Sequence, residues 1–246
     1  MKNLIKIGLI RLYKNLFYLV GCILAFAITY WFLVTRPIPQ LADYSEESVA
    51  ILLSGAIVAF FSMFIGIFLG SETEDGILRN KVMAGHTQNS VYVCHYITFL
   101  IALIGMMFFW LLGAIVGGTK VTTGFIGYIV IAFLYNAAFI AVIQAIVFHM
   151  KKMVTGIICS LAIFYFLVSG VLLGNFVYMV LSETKPAAAK LFSVIYNMSA
   201  VGQCFSRTAM ADSELSSTGI QVPTSLGLII LALFLGTLRL KKREIN

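Results

Sequence analysis

The most highly charged internal segment of the chain is residues 71–92, which read SETEDGILRNKVMAGHTQNSVY. Three acids, Glu72, Glu74 and Asp75, come before two bases, Arg79 and Lys81. Long apolar runs lie on both sides of the segment. Charged groups in this order suit ion pairs and hydrogen bonds with another protein, so the segment is the first candidate for a functional site.

Two glycines, Gly76 and Gly85, enclose a short helical pattern within this segment. Acids at its start would favour the positive end of a helix dipole, and Gly85 can end the helix. Val82 and Met83 offer apolar contacts inside a charged rim, as interface anchors do. The alternative is an ordinary solvated loop. The candidate partner-binding residues are Glu72, Glu74, Asp75, Gly76, Arg79, Asn80, Lys81, Val82, Met83, Gly85 and His86.

The composition decides what kind of protein holds this segment. Of 246 residues, 61% are hydrophobic and only 11% are charged, whereas a soluble domain carries about a quarter charged residues. The apolar runs are long enough for membrane helices and lack the alternation of a β-barrel. We predict a single all-α, polytopic membrane domain over 1–246. The net charge of +7 comes from bases beside apolar runs, so no nucleic-acid partner is predicted.

Six spans are predicted, with an N-terminal segment 1–15 before them and a long segment 175–222 before the last. Segment 1–15 is either an interfacial helix or a simple basic flank. Segment 175–222 is apolar enough in part to re-enter the bilayer from the outer side. The predicted spans are 16–34, 49–69, 93–116, 125–148, 153–173 and 223–240.

Basic residues predict the orientation of the spans. With both termini in the cytoplasm, 12 Lys and Arg lie inside and five outside, which agrees with the positive-inside rule. Segment 71–92 is then cytoplasmic. The predicted spans hold no Asp, Glu, Lys or Arg in their interiors, and ion-driven transporters usually need one there. Asn136 and Gln144 are interpreted as helix–helix hydrogen-bonding residues.

Catalytic and metal-binding patterns are absent from the sequence. It contains no HExxH, GxSxG or GxxxxGK[ST], so no catalytic residue is predicted and nucleotide hydrolysis would need another chain. The three histidines are scattered and are interpreted as surface or interfacial, and the four cysteines as free. Cys22 ends a sequence like a lipoprotein cleavage box, but the apolar run continues past it and favours an uncleaved span.

Segment 71–92 resembles the cytoplasmic loop of ATP-binding-cassette exporter permeases of the second type, as found in Gram-positive bacteria. Two positions depart from the family pattern: Gln88 stands in place of Arg, and Ile77 in place of Thr. A second resemblance involves Tyr196-Asn197 and Gly202-Gln203, before the last span. The residues that match the loop are Glu72, Glu74, Gly76, Asn80, Lys81, Gly85 and Tyr92.

The resemblance implies a coupling helix that docks onto a separate ATPase subunit in the cell membrane. That subunit would bind ATP and Mg, with no cofactor on this chain. A second permease chain, most simply an identical copy, would complete the exporter, with cargo near its second and fifth spans. The aromatic content favours amphipathic or hydrophobic cargo, with peptides ranked above small drugs. A different hypothesis is a non-transporting immunity or scaffold protein, and a third is an intramembrane enzyme.

Overall fold

A computed structural model describes residues 1–38, 44–150, 152–207 and 218–240. Residues 241–246 and part of segment 175–222 lie outside these residues. The described residues form helices and no strands, which confirms the all-α prediction. The helices are α1 (Lys2–Lys14), α2 (Leu16–Thr35), α3 (Glu46–Glu74), α4 (Ile77–Met83), α5 (Gln88–Val116), α6 (Thr123–Val147), α7 (Met153–Thr184), α8 (Pro186–Asn197), α9 (Ala200–Ser206) and α10 (Thr218–Leu240).

Six of these helices are long and apolar enough to cross a membrane: α2, α3, α5, α6, α7 and α10. The chain is therefore a multi-pass membrane protein. Two spans extend well past their predicted ends: α3 continues to Glu74 and α7 to Thr184. At 32 residues, α7 is about 48 Å long, more than the hydrocarbon core of roughly 30 Å. The last helix begins five residues before Pro223, which lies inside it.

The centre of the bundle is α3, which packs against α2, α6, α7 and α9. A row of phenylalanines on α3 stacks ring against ring, with Phe60 and Phe64 centroids 5.5 Å apart and Phe64 and Phe68 centroids 5.6 Å apart. Phe99 of α5 closes on Phe68 at 5.6 Å. Dense packing of this kind associates helices in lipid, where burial of apolar surface gives little net gain.

Glycines allow α3 and α7 to approach closely at one end of the bundle. A Cβ added to Gly66 would lie 2.9 Å from the Ile157 Cα, and one added to Gly70 would lie 2.5 Å from the Met153 Cα. Because the obstructing atoms belong to the α7 backbone, a side-chain rotation could not relieve either clash. The small-residue spacing in α3 therefore serves packing within the chain.

Gly70→Ala should weaken this contact, because α7 must move away from α3 to admit a methyl group. We expect a cost of about 1–3 kcal/mol, seen as a lower midpoint of thermal unfolding in detergent micelles. Gly127→Ala on α6 is the matched control, since nothing lies within 4 Å of its added Cβ. An equal midpoint for the two variants would contradict the close approach of α3 and α7.

The N-terminal segment is helical, as the first of its two interpretations predicts. Helix α1 packs along α5 and buries Leu4, Gly8 and Leu12. The Asn15 side chain accepts a hydrogen bond of 3.1 Å from the Tyr18 amide and so caps α2. The exposed side of α1 mixes apolar and basic residues, namely Lys2, Lys6, Ile7, Ile10, Tyr13 and Lys14.

At the opposite end of the bundle, α8 and α9 form a hairpin beside the spans. The Tyr196 hydroxyl donates to the Asn175 Oδ1 across 2.8 Å, which ties α8 to α7. On α9, the Cys204 Sγ lies 3.7 Å from the Ser54 Oγ. Ser54 is about 12 Å along α3 from its start. Helix α9 thus lies beside the membrane-spanning part of α3, which agrees with a re-entrant segment.

Candidate functional site

Helix α4 lies between two glycines that both have left-handed backbone angles, with φ of 68° at Gly76 and 88° at Gly85. At its end, the Gly85 amide donates to the Val82 carbonyl at 3.0 Å and the His86 amide to the Lys81 carbonyl at 3.3 Å. This pair of bonds forms a Schellman motif, in which glycine avoids the strain that a Cβ would bring. The predicted glycine-bounded helix is confirmed.

The position of the acids differs from the prediction. Glu72 and Glu74 belong to the last turn of α3, and the first turn of α4 holds no acid. They therefore lie at the negative end of the α3 dipole, where carboxylates are disfavoured. The dipole argument for acids at the start of α4 was wrong, because α3 continues through both residues and the chain turns only at Gly76.

Glu72 is fully buried and forms the centre of an ionic cluster. Its Oε1 accepts a hydrogen bond from Arg11 of α1. Its Oε2 lies 2.7 Å from the Lys81 Nζ on α4 and 3.1 Å from the His95 Nε2 on α5. The Arg11 guanidinium also lies 5.6 Å from the Phe68 ring centroid, in a cation–π contact. One carboxylate thus joins four helices.

The charges of this cluster explain why a carboxylate is tolerated at a buried helix end. Burial and the α3 dipole both disfavour the anion, and two cations within contact distance offset them. The arrangement favours a fixed geometry, because separating the partners would leave a buried charge unpaired. His95 had been interpreted as a surface or interfacial residue, and that was wrong: its ring is buried against Glu72.

The eleven candidate residues are divided between an inner and an outer side. Glu72 is buried and Lys81 points toward it. Gly76, Val82 and His86 are partly buried. The residues that face outward are Glu74, Asp75, Arg79, Asn80, Met83 and Gly85. Among them Met83 is 67% exposed, a large apolar side chain beside charged neighbours.

Glu74 has a structural contact that the sequence analysis did not foresee. Its Oε1 accepts a hydrogen bond of 2.8 Å from the Met153 amide, the first residue of α7. The carboxylate therefore caps α7 from outside that helix, where both the unpaired amide and the dipole favour an anion. Glu72 and Glu74 together attach the end of α3 to α1, α4, α5 and α7.

Polar side chains inside the bundle form a second cluster. The Ser54 Oγ lies 2.5 Å from the Tyr128 hydroxyl and 2.8 Å from the Tyr135 hydroxyl. The two tyrosines are seven residues apart on α6, a spacing that places them on one face. Cys204 of α9 adjoins them, with its Sγ 3.5 Å from the Ile51 carbonyl oxygen. These contacts join α3, α6 and α9, which indicates a role in helix association.

Of the two residues predicted to form hydrogen bonds between helices, Gln144 does so and Asn136 does not. The Gln144 Nε2 of α6 donates to the Tyr92 carbonyl of α5 at 2.8 Å, which confirms the prediction. The Asn136 Nδ2 donates to the Ala132 carbonyl of its own helix at 2.9 Å, so the prediction was wrong for Asn136. The four cysteines are free, as predicted.

A third polar cluster attaches the hairpin to α10. The Gln203 Nε2 donates to the Asn197 carbonyl at 2.6 Å and to the Ser225 Oγ at 2.9 Å. The Gln221 Nε2 donates to the Asn197 Oδ1 at 3.0 Å, and its Oε1 accepts from the Arg207 Nε at 2.8 Å. Gln203 and Gln221 are almost completely buried and satisfied by these partners. The side-chain amides of Gln203 and Gln221 therefore attach the hairpin to α10.

The described residues contain no group of three or more His, Cys, Asp or Glu side chains that could hold a metal ion. The sequence matches no model of a protein family, and no curated protein matches it. The contacts of the site define an exposed short helix held on the bundle by a buried ionic cluster.

Proposed function

We propose that the chain is the permease subunit of an ATP-driven exporter in the cell membrane, with α4 as its contact with a separate ATPase. Six apolar helices fit a membrane transport protein. The observation that supports coupling is the exposed face of α4, at Arg79, Asn80 and Met83. It is held on the bundle from behind by Glu72 and Lys81.

The ionic cluster suits transmission of a movement from α4 to the spans. A force on α4 would reach Glu72 through Lys81, and from there the end of α3. Since α3 packs against α2, α6, α7 and α9, among others, its displacement would move much of the bundle as one body. A loop without such an anchor would bend at Gly76 and Gly85 and dissipate the movement.

The energy source in this proposal is ATP bound with Mg on the partner chain. The interiors of the predicted spans lack Asp, Glu, Lys and Arg, the side chains that most often couple transport to an ion gradient. The sequence also lacks the phosphate-binding pattern of an ATPase. A partner that hydrolyses ATP is the arrangement that satisfies both facts.

Helix α7 supports the proposed second permease chain and the class of cargo. It exposes large apolar side chains, including Tyr165 at 68% and Phe166 at 72%. Such a surface suits contact with a second copy of the chain and with amphipathic or hydrophobic cargo. Within that class we favour peptides over small drugs.

Purification of the full-length chain from its native membranes in mild detergent tests the proposal. We expect an ATP-binding-cassette ATPase subunit in the complex, identified by mass spectrometry, and ATP hydrolysis by the purified sample. Arg79→Glu and Met83→Glu should each reduce recovery of the ATPase about tenfold, as expected for anchor residues at an interface.

Lys152→Glu is the matched control, because Lys152 is an exposed base at the same end of the bundle but outside α4. It should leave recovery unchanged. A chain that purifies without any ATPase would contradict the proposal and favour the non-transporting immunity or scaffold protein. If the ATPase were recovered equally with all three variants, the role of α4 would be contradicted, but not the proposal that the chain is an exporter permease.

A further inference from the structure

We propose that a groove between α2 and α3 is a binding site for an anionic phospholipid, with one acyl chain in the groove and the headgroup at Lys14. The site is separate from α4 and does not depend on the proposed exporter function. Three observations support it: the shape and lining of the groove, its depth along α2, and the charge at its end.

The groove is a recess of about 220 Å³ between α2 and α3, with α5 behind it. Val20, Leu24 and Ile28 of α2 form one wall, and Ala56 of α3 lies on the other. Trp110 of α5 lies at its inner end and donates its indole N–H to the Ala50 carbonyl at 3.1 Å. With its polar groups bonded inside the protein, the recess offers an apolar surface that suits a hydrocarbon chain.

The depth of the groove matches one leaflet. On α2 it extends from Phe17 to Thr29, which is about 18 Å along the helix. The hydrocarbon core is roughly 30 Å thick, so the groove covers about half of it. It begins one residue after the start of α2 at Leu16. An acyl chain from the leaflet that surrounds α1 would therefore fill it lengthwise.

The charge at the α1 end favours an anionic headgroup. Lys14 is exposed and lies three residues before Phe17, where the groove begins. Helix α1 also exposes Lys2 and Lys6, and it contains no acid. Each base near a membrane surface attracts anionic lipid by an amount that corresponds to about fivefold in affinity. A lipid in the groove would thus bring its phosphate to the exposed ammonium group of Lys14.

Tryptophan quenching by brominated lipids tests the proposal. The chain has two tryptophans, so Trp31→Phe leaves Trp110 as the sole reporter. The variant is placed in phosphatidylcholine vesicles that contain either phosphatidylglycerol or phosphatidylcholine with brominated acyl chains. We expect phosphatidylglycerol to quench Trp110 at a lower mole fraction than phosphatidylcholine, by about fivefold.

Two pairs of substitutions in the Trp31→Phe background separate the groove from the general surface. Ala56→Phe fills the groove and should abolish the preference, whereas Ala27→Phe, at an exposed position of α2 outside the lining, should preserve it. Lys14→Gln should remove most of the preference, whereas Lys2→Gln, at the far end of α1, should retain it.

Equal quenching by the two lipids would overturn the proposal, because no anionic site would then exist. A preference that survives Ala56→Phe would overturn it as well, since the lipid would lie elsewhere. Absence of quenching by either lipid would show that a second copy of the chain or a cargo molecule covers the groove, which also contradicts a lipid site.

Discussion

Glu72→Gln is expected to destabilise the protein by about 3 kcal/mol or more. The substitution keeps the shape of the side chain but removes the one negative charge that Arg11 and Lys81 share. Removing one partner of a buried ion pair costs about 3–5 kcal/mol, and the lower end applies because Arg11 is partly exposed. Thermal unfolding in detergent micelles, followed by intrinsic fluorescence, should show a midpoint lower by about 10 °C.

Asp75→Asn is the control for this result. Asp75 carries the same charge three residues later but is exposed at the end of α3, so its loss should shift the midpoint little. A double variant, Glu72→Met with Lys81→Met, tests the ionic cause. Apolar side chains often replace buried ion pairs with little loss, and the Arg11 that remains is partly exposed, so the double variant should be more stable than Glu72→Gln. A double variant at least as unstable would show that packing, not charge, dominates.

The sequence predicted the membrane class and the short helix because both depend on local information. Composition and run length suffice to identify six spans, and glycines at 76 and 85 bound α4 with no contribution from distant residues. The predicted ends of α3 and α7 lie before the true helix ends, because hydropathy shows only where the apolar run ends. Helices continue beyond that point when their polar residues find partners, as Glu72 and Asn175 do.

The ionic cluster could not be predicted from the sequence. Glu72 and Arg11 are 61 residues apart, and their types alone suit an exposed loop equally well. Helical periodicity does not show which of Glu72 and Glu74 points inward, because both lie past the apolar run. The outward face of α4 was predicted in part, since Arg79, Asn80 and Met83 are exposed. The inward face of α4, where Lys81 pairs with Glu72 and anchors the helix, was not predicted.

Gln221→Leu is expected to release the α8–α9 hairpin from α10. The side chain is completely buried and bonds to Asn197, Ser206 and Arg207 at 3.0, 2.9 and 2.8 Å. Leucine is similar in size but leaves those groups without these bonds. A buried hydrogen bond contributes about 0.5–1.5 kcal/mol, and one to a charged group contributes about 1.5–3 kcal/mol, so the loss of all three should exceed the cost of Gly70→Ala.

Cys204 reports this release directly, because its thiol lies on the buried face of α9, against Ser54 and Ile51 of α3. A membrane-impermeant maleimide should leave Cys204 unlabelled in the unaltered protein and label it in Gln221→Leu, as measured by mass spectrometry of the Cys204 peptide. Thr218→Val removes one exposed hydrogen bond to Arg207 and should leave Cys204 protected. If Gln221→Leu also left Cys204 protected, the buried amides would not be what holds the hairpin, and apolar contacts of α8 with α7 would have to do so.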